Sequence, residues 1–340
     1  MEKSDNNKVI KIAVDAMGGD NAPRVEIEGA IAALKEKKSN LFLFLVGKEN
    51  LIRKELEKYN YEGDDYEIVH AEEVITMHDS PARAVKTKKN SSLVVAANLV
   101  KEGRANALVS AGNTGAVAMA SILIMGRIPG VSRPTIASPI PTEKGTLSRI
   151  TDAGAFVDSR AEHLLEFAKL TDIYLREVHK VENPTVGLLN VGEEESKGHP
   201  LTYDAFELLK NSYLNFKGNV EGKDVFKGTV DIVVCDGFVG NIILKFAESV
   251  LPFLKTKLKQ YADKGLIPKL QIGIAKSAIK KALVDTDPNY YGGIPLLGIN
   301  GVAIIGHGSS NAIGIKNMIF EAARSLEVDL VNKIKEKINA

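Results

Sequence analysis

Cysteine is almost missing from this 340-residue chain: Cys235 stands alone, so no disulfide can close within it and the usage fits a reducing cytoplasm. Excess charge is missing too. The formal net charge is +1, which gives no global pull toward nucleic acid. No continuous apolar run reaches the roughly 18 residues that span a bilayer, and the polar opening residues 1–8 lack the apolar core of a signal peptide. There is no Walker A sequence, no His-Glu-x-x-His and no cysteine cluster, which argues against a nucleoside triphosphatase and against a zinc site. No metal and no cofactor are expected. Internal repeats and low-complexity linkers are absent as well.

What is present is ordinary globular composition, 44% hydrophobic and 26% charged, in a regular alternation. Short apolar runs at 9–14, 41–46, 66–70 and 105–110 read as buried strands, and helical periodicity at 24–37, 49–59 and 93–101 lies between them. This predicts an α/β fold with a doubly wound, mostly parallel sheet. The pattern divides 1–340, read as one catalytic unit, into a first α/β half at 8–127, a middle part at 128–235, a helical hairpin at 241–283 and a closing strand and helices at 284–340. The runs 135–140 and 146–152, joined by a Pro-Gly-containing turn, read as an antiparallel insertion. Pro252 is expected to kink the first hairpin helix.

One feature repeats. Four strand ends carry small, polar, glycine-rich loops at 15–21, 112–115, 236–241 and 306–311. A fifth loop, 192–198, adds Lys197. In an open α/β sheet the carboxyl ends of parallel strands share one edge, where ligands bind. Glycines admit close backbone approach, and N–H groups at helix starts favour anions. The candidate phosphate or substrate residues are Asp15, Gly18, Gly19, Gly112, Asn113, Thr114, Gly115, Asp236, Gly240, Gly308 and Ser309. Asn113 and Thr114 can cap a helix or donate to a ligand. His307, between two glycines, is the histidine placed for a site role. The segment 306–311 comes close to a dinucleotide fingerprint, but Asn311 replaces its last glycine and too little chain follows for a ribose-binding acid. Cys235 has no adjacent base and reads as a buried, inert thiol.

The hairpin has its own chemistry. From Lys255 to Lys281 it holds eight lysines and one acid, Asp263. Its turn carries apolar Leu266 and Ile267. Lys257, Lys264, Leu266, Ile267 and Lys269 are candidate contacts to an anionic membrane surface or an acidic protein; the alternative is a solvated face with its apolar stripe buried in a dimer.

The segments 12–23, 109–115, 188–198, 236–245 and 306–311 resemble, in order and over residues 8–325, the bacterial phosphate acyltransferases of phospholipid synthesis. The resemblance implies transfer of a fatty acyl group from acyl-acyl-carrier protein to inorganic phosphate. It implies a fold similar to phosphotransacetylases and isocitrate-type dehydrogenases. It also implies a cytoplasmic homodimer loosely associated with the membrane, beside the membrane acyl-phosphate:glycerol-3-phosphate acyltransferase. Two positions depart from the family pattern: Phe156 stands where asparagine is usual, and Lys86 where arginine is usual.

For that reaction, phosphate needs placement more than a strong base. Loops 112–115 and 306–311 are assigned to hold it, Lys197 or Asn241 to stabilise the oxyanion, and His307 to protonate the leaving thiol or bind phosphate. Direct transfer without an acylated enzyme is expected. The runner-up is a phosphotransacetylase or acyl-CoA enzyme on the same fold. A dehydrogenase and a non-enzymatic lipid- or carrier-binding module remain behind it.

Overall fold

The structure, a computed structural model, describes residues 9–36 and 40–338. The polar opening 1–8, and the end of the helix expected to reach Lys37, lie outside them.

The first elements in chain order are β1 (Ile10–Asp15), α1 (Arg24–Glu36), β2 (Leu41–Gly47), α2 (Glu49–Leu56), β3 (Tyr66–His70), α3 (Pro81–Thr87), α4 (Ser92–Lys101), β4 (Ala107–Ser110) and α5 (Thr114–Ala120). A π-helical turn, Ser121–Met125, continues α5. Next come β5 (Thr135–Ile136), β6 (Ser138–Pro141), β7 (Leu147–Thr151), α6 (Ala161–His179), β8 (Thr185–Leu189), α7 (Pro200–Lys210), β9 (Asn215–Val220), α8 (Gly222–Lys227) and β10 (Ile232–Val234). The last are α9 (Gly237–Ala262), α10 (Leu266–Ala282), β11 (Ile294–Leu297), β12 (Val302–Ile305), α11 (Ala312–Glu327) and α12 (Leu330–Lys337).

The described residues form two compact units: one from 9–36, 40–137, 165–184 and 288–338, the other from 138–164 and 185–287. Unit 1 holds a seven-stranded sheet in the order β3-β2-β1-β4-β12-β11-β5. Its first five strands are parallel, and β11 runs against both of its neighbours. The central strands β4 and β12 are buried throughout, which is why they read as unbroken apolar runs rather than alternating ones. Ile12, Val14, Leu43, Leu45, Val109 and Ile304 pack there against Ile27 and Ile31 of α1 and Ile315 and Ile319 of α11.

Unit 2 holds a five-stranded sheet in the order β6-β7-β10-β8-β9, parallel except for the β6–β7 pair. The expected antiparallel hairpin is this pair, with one difference. Residues 135–136 belong to the other sheet, against β11, so the run 135–140 is two strands. The core of this unit gathers Ile140, Ile150, Leu189, Val220, Val233 and Cys235. The start of α9 covers it with Val239, Ile243, Leu244 and Ala247.

Beyond that first stretch α9 and α10 are exposed, with Phe246, Phe253, Leu266, Ile267, Leu270 and Ile274 in solvent. Pro252, the position of the expected kink, lies inside α9, which continues through it as one helix. By length and composition alone α9 is long and apolar enough to cross a membrane, although its continuous apolar runs stay short, as expected. Lys245 and Glu248, paired at 2.8 Å, interrupt the run that a simple scan would find.

Candidate active site

In unit 1 the strands β1, β4 and β12 are neighbours and parallel, with Val14 beside Val109 and Ile305 beside Ser110. Three of the four glycine loops therefore leave one sheet edge side by side. Their mutual bonds are specific. Ser110 Oγ donates to Asp15 Oδ2 at 2.7 Å and accepts the Gly112 N–H at 3.1 Å. The Asp20 N–H donates to the Gly308 carbonyl at 2.9 Å. The loops after β1 and β4 are thus joined through Asp15 and Ser110, and those after β1 and β12 through Asp20. Asp15 is 2% exposed. Burial pushes its carboxyl up, against the donors Ser92, Ser110 and Met17, which favour the charge.

The β4 loop separates two candidates. Asn113 Oδ1 accepts the Ala116 N–H at 3.1 Å and caps α5. Its Nδ2 donates to the carbonyls of Met77 at 3.1 Å and Asp79 at 3.3 Å. These three bonds give the Asn113 side chain a structural role at the start of α5. Thr114 is exposed and remains an open donor at the helix start, next to the half-buried Gly115. The segment that receives Asn113 is itself pinned: Asp79 accepts Lys88 Nζ at 2.7 Å and Thr76 N–H at 2.7 Å, and these contacts hold its carboxyl down at about 2.

His307 is exposed in the β12 loop. Its Nδ1 lies 2.7 Å from Ser309 Oγ and accepts the Ser309 N–H at 3.2 Å. That acceptor role leaves the proton of the neutral ring on Nε2. Asn311 Oδ1 caps α11 through Gly314 N–H at 3.0 Å.

In unit 2 the loops after β7, β10 and β8 share the corresponding edge. Asp236 caps α9, accepting Phe238 and Val239 N–H at 2.9 and 3.0 Å. Gly240 meets the backbone of the β7 loop so closely that a Cβ there would lie 1.9 Å from the Asp152 carbonyl. Asn241 is exposed and packs on Gly154. Lys197 is exposed in the β8 loop, where its carbonyl accepts Asn190 Nδ2 at 2.9 Å. Buried Asp152 accepts the N–H groups of Ala155 and Phe156 at 3.1 and 2.9 Å. The turn at position 156 therefore uses backbone, which any residue supplies. Cys235 is buried, and burial pushes its thiol well up, as suits an inert residue.

Ser110, Asp152 and Glu26 are the contributors that sequence patterning passes over. The signal for the first two is a polar residue ending an apolar strand. Among the hairpin candidates, Lys257 and Lys264 lie over the rings of Phe253 and Tyr261 at 5.5 and 5.9 Å. Leu266, Ile267 and Lys269 are exposed at the turn.

The fold is that of a known class. A phosphotransacetylase from Streptococcus pyogenes superposes with a TM-score of 0.62 at 18% identity, over 94% of each chain. A 4-hydroxythreonine-4-phosphate dehydrogenase from Klebsiella pneumoniae gives a TM-score of 0.50 at 13% identity, over 92% of this chain and 98% of that one. At the sequence level, the model of a family described as fatty acid synthesis protein matches residues 10–333. The phosphate acyltransferase of Halothermothrix orenii is 45% identical over 332 residues, covering 97% of this chain and 99% of that one. That of Dictyoglomus turgidum is 47% identical over 331 residues, covering 97% and 98%. The chain belongs to the phosphate acyltransferase family.

Proposed function

We propose that the protein transfers a fatty acyl group from acyl-carrier protein to inorganic phosphate, releasing acyl phosphate for phospholipid synthesis. The observation that carries this reading is the convergence of the loops after β1, β4 and β12 on one sheet edge in unit 1. A phosphate oxygen attacks the thioester carbonyl, the carbon–sulfur bond breaks, and the carrier leaves as a thiolate. Its pKa of about 8.5 asks for little assistance. In unit 1 the open donors Thr114 and the His307–Ser309 loop hold the phosphate, and His307 Nε2–H is the candidate hydrogen-bond donor to the phosphate or to the leaving sulfur. In unit 2, Lys197 and Asn241 are the candidates for the carbonyl oxygen. Exposed Val191, Phe238 and Ile242 at the edge loops of that unit are suited to an acyl chain. Cys235 takes no part, so no acyl-enzyme forms.

In this reading the protein is a cytoplasmic homodimer whose exposed hairpin serves two contacts. The apolar length of α9 and α10 is covered by a second copy, and the turn with Leu266 and Ile267 meets an anionic membrane surface, where the membrane acyl-phosphate:glycerol-3-phosphate acyltransferase would take the product. Trapping with hydroxylamine tests the reaction. Protein, palmitoyl-carrier and phosphate together should yield hydroxamate, and His307→Ala should lower the rate by at least about tenfold while remaining folded. Product with acyl-CoA alone would favour a phosphotransacetylase activity, and no product would favour a binding module.

A further inference from the structure

Glu26 has no part in the chemistry above, yet it backs the β1 loop. It lies in the first turn of α1, is 2% exposed, and its carboxyl group rests against the Gly19 backbone. Its Oε1 fills the space a Gly19 side chain would need, for a Cβ there would lie 2.2 Å away. The next residue, Asp20, donates its N–H to Gly308 at 2.9 Å. Glu26 therefore supports one side of a turn whose other side rests on the β12 loop. Its Oε2 is buried without a hydrogen-bond partner, an arrangement a full negative charge does not tolerate. Among the described residues, the charges acting on it are Asp15 from the end of β1 and Asp20 from the loop, both acids. On the α11 side, Gly29 of α1 packs against Ile315 and the Ala312 carbonyl, which adds no charge.

We propose that Glu26 is a positioning residue that works as the neutral acid, clamping the 18–20 turn in its phosphate-receiving form and releasing it on ionisation. This rests on the reading of the unit 1 loops as the phosphate cradle. Burial, seconded by Asp15 and Asp20, pushes the Glu26 carboxyl up to about 7, so the release falls within the working range. The sign follows. A carboxyl raised by folding stabilises the protein fully below the ordinary glutamate range, and that contribution is lost as pH rises through about 7.

The experiment compares the full-length protein with Glu26→Gln, which is neutral at every pH. Phosphate KM and kcat are measured from about pH 6 to about pH 8.5, and thermal midpoints are measured without phosphate over the same range. Phosphate's own ionisation acts equally on both proteins, so the ratio of their KM values isolates Glu26. That ratio, parent over variant, is expected to rise about tenfold across the range with the kcat ratio flat. The midpoint should fall with pH in the parent and much less in the variant. Parallel KM profiles overturn the proposal even if the melts differ, since Glu26 would then titrate without positioning the turn. A parent whose activity ignores phosphate overturns the cradle reading and the proposal with it, and that result needs no variant. Hydrogen exchange of the 18–20 amides in the parent gives a further arm that does not depend on the variant folding. Exchange that outpaces β2 at high pH supports the clamp, and parallel exchange overturns it.

Discussion

Asn113 and Thr114 are adjacent, and the structure gives them different work. The Asn113 side chain caps α5 and ties the helix start to Met77 and Asp79, while Thr114 stays exposed. Thr114→Val is expected to raise the phosphate KM by about tenfold, because a hydrogen bond to a charged ligand is worth about 1.5–3 kcal/mol. Asn113→Ala is expected to cost about 1 kcal/mol of stability as a lost cap, with a smaller effect on KM. Thermal melts and phosphate saturation curves on the two variants separate these outcomes; a reversed pattern would return Asn113 to the ligand. The cap is legible in the sequence because it is local. The ties to Met77 and Asp79 span 36 and 34 positions, which no spacing rule covers. Glu26 was hidden for a similar reason. An acid in the first turn of a helix ordinarily answers the helix dipole from the surface, and only the folded chain reveals it buried beneath Gly19.

Strand ends were the most readable elements, since β1, β4 and β12 are short, buried apolar runs closed by glycine-containing loops. Strands at sheet edges were not. The sequence of β9, Asn-Phe-Lys-Gly-Asn-Val, carries a glycine at φ +96° and two asparagines, which weaken the strand signal; it forms because β8 offers an open edge. The split of 135–140 between two sheets is hard to read from the sequence, as a single residue, Ala137, separates the two strands. The start of α9 gives a sharp test at this scale. Gly240→Ala would put a methyl 1.9 Å from a backbone oxygen, and backbone cannot rotate away as a side chain does. Denaturant unfolding of that variant is expected to show a loss of at least about 2 kcal/mol; wild-type stability would mean that the first turn of α9 does not seat on the β7 loop as described.

For the molecule as a whole, the exposed hairpin is the surface that calls for a partner. Large apolar side chains rarely face water together unless a partner covers them, and here they run from Phe246 to Ile274 with lysines interspersed. Replacing Leu266 and Ile267 by Glu is expected to abolish the proposed flotation with anionic vesicles while leaving acyl transfer in solution and the proposed dimer intact. Loss of the dimer instead would place the turn in the subunit contact. Vesicle binding of the unaltered protein should also weaken as ionic strength rises, because the lysines act over a Debye length of about 10 Å at 0.1 M salt.

The central claim is that inorganic phosphate is itself the acyl acceptor. Incubating the protein with palmitoyl-carrier and phosphate bearing four ¹⁸O atoms, then weighing the acyl phosphate by mass spectrometry, tests it directly. The product is expected to keep all four heavy oxygens from the first turnover, since the phosphate oxygen becomes the bridge to the acyl carbon and no P–O bond breaks. Acyl phosphate lacking one or more of those labels, or carrier released with only free fatty acid formed, would contradict it.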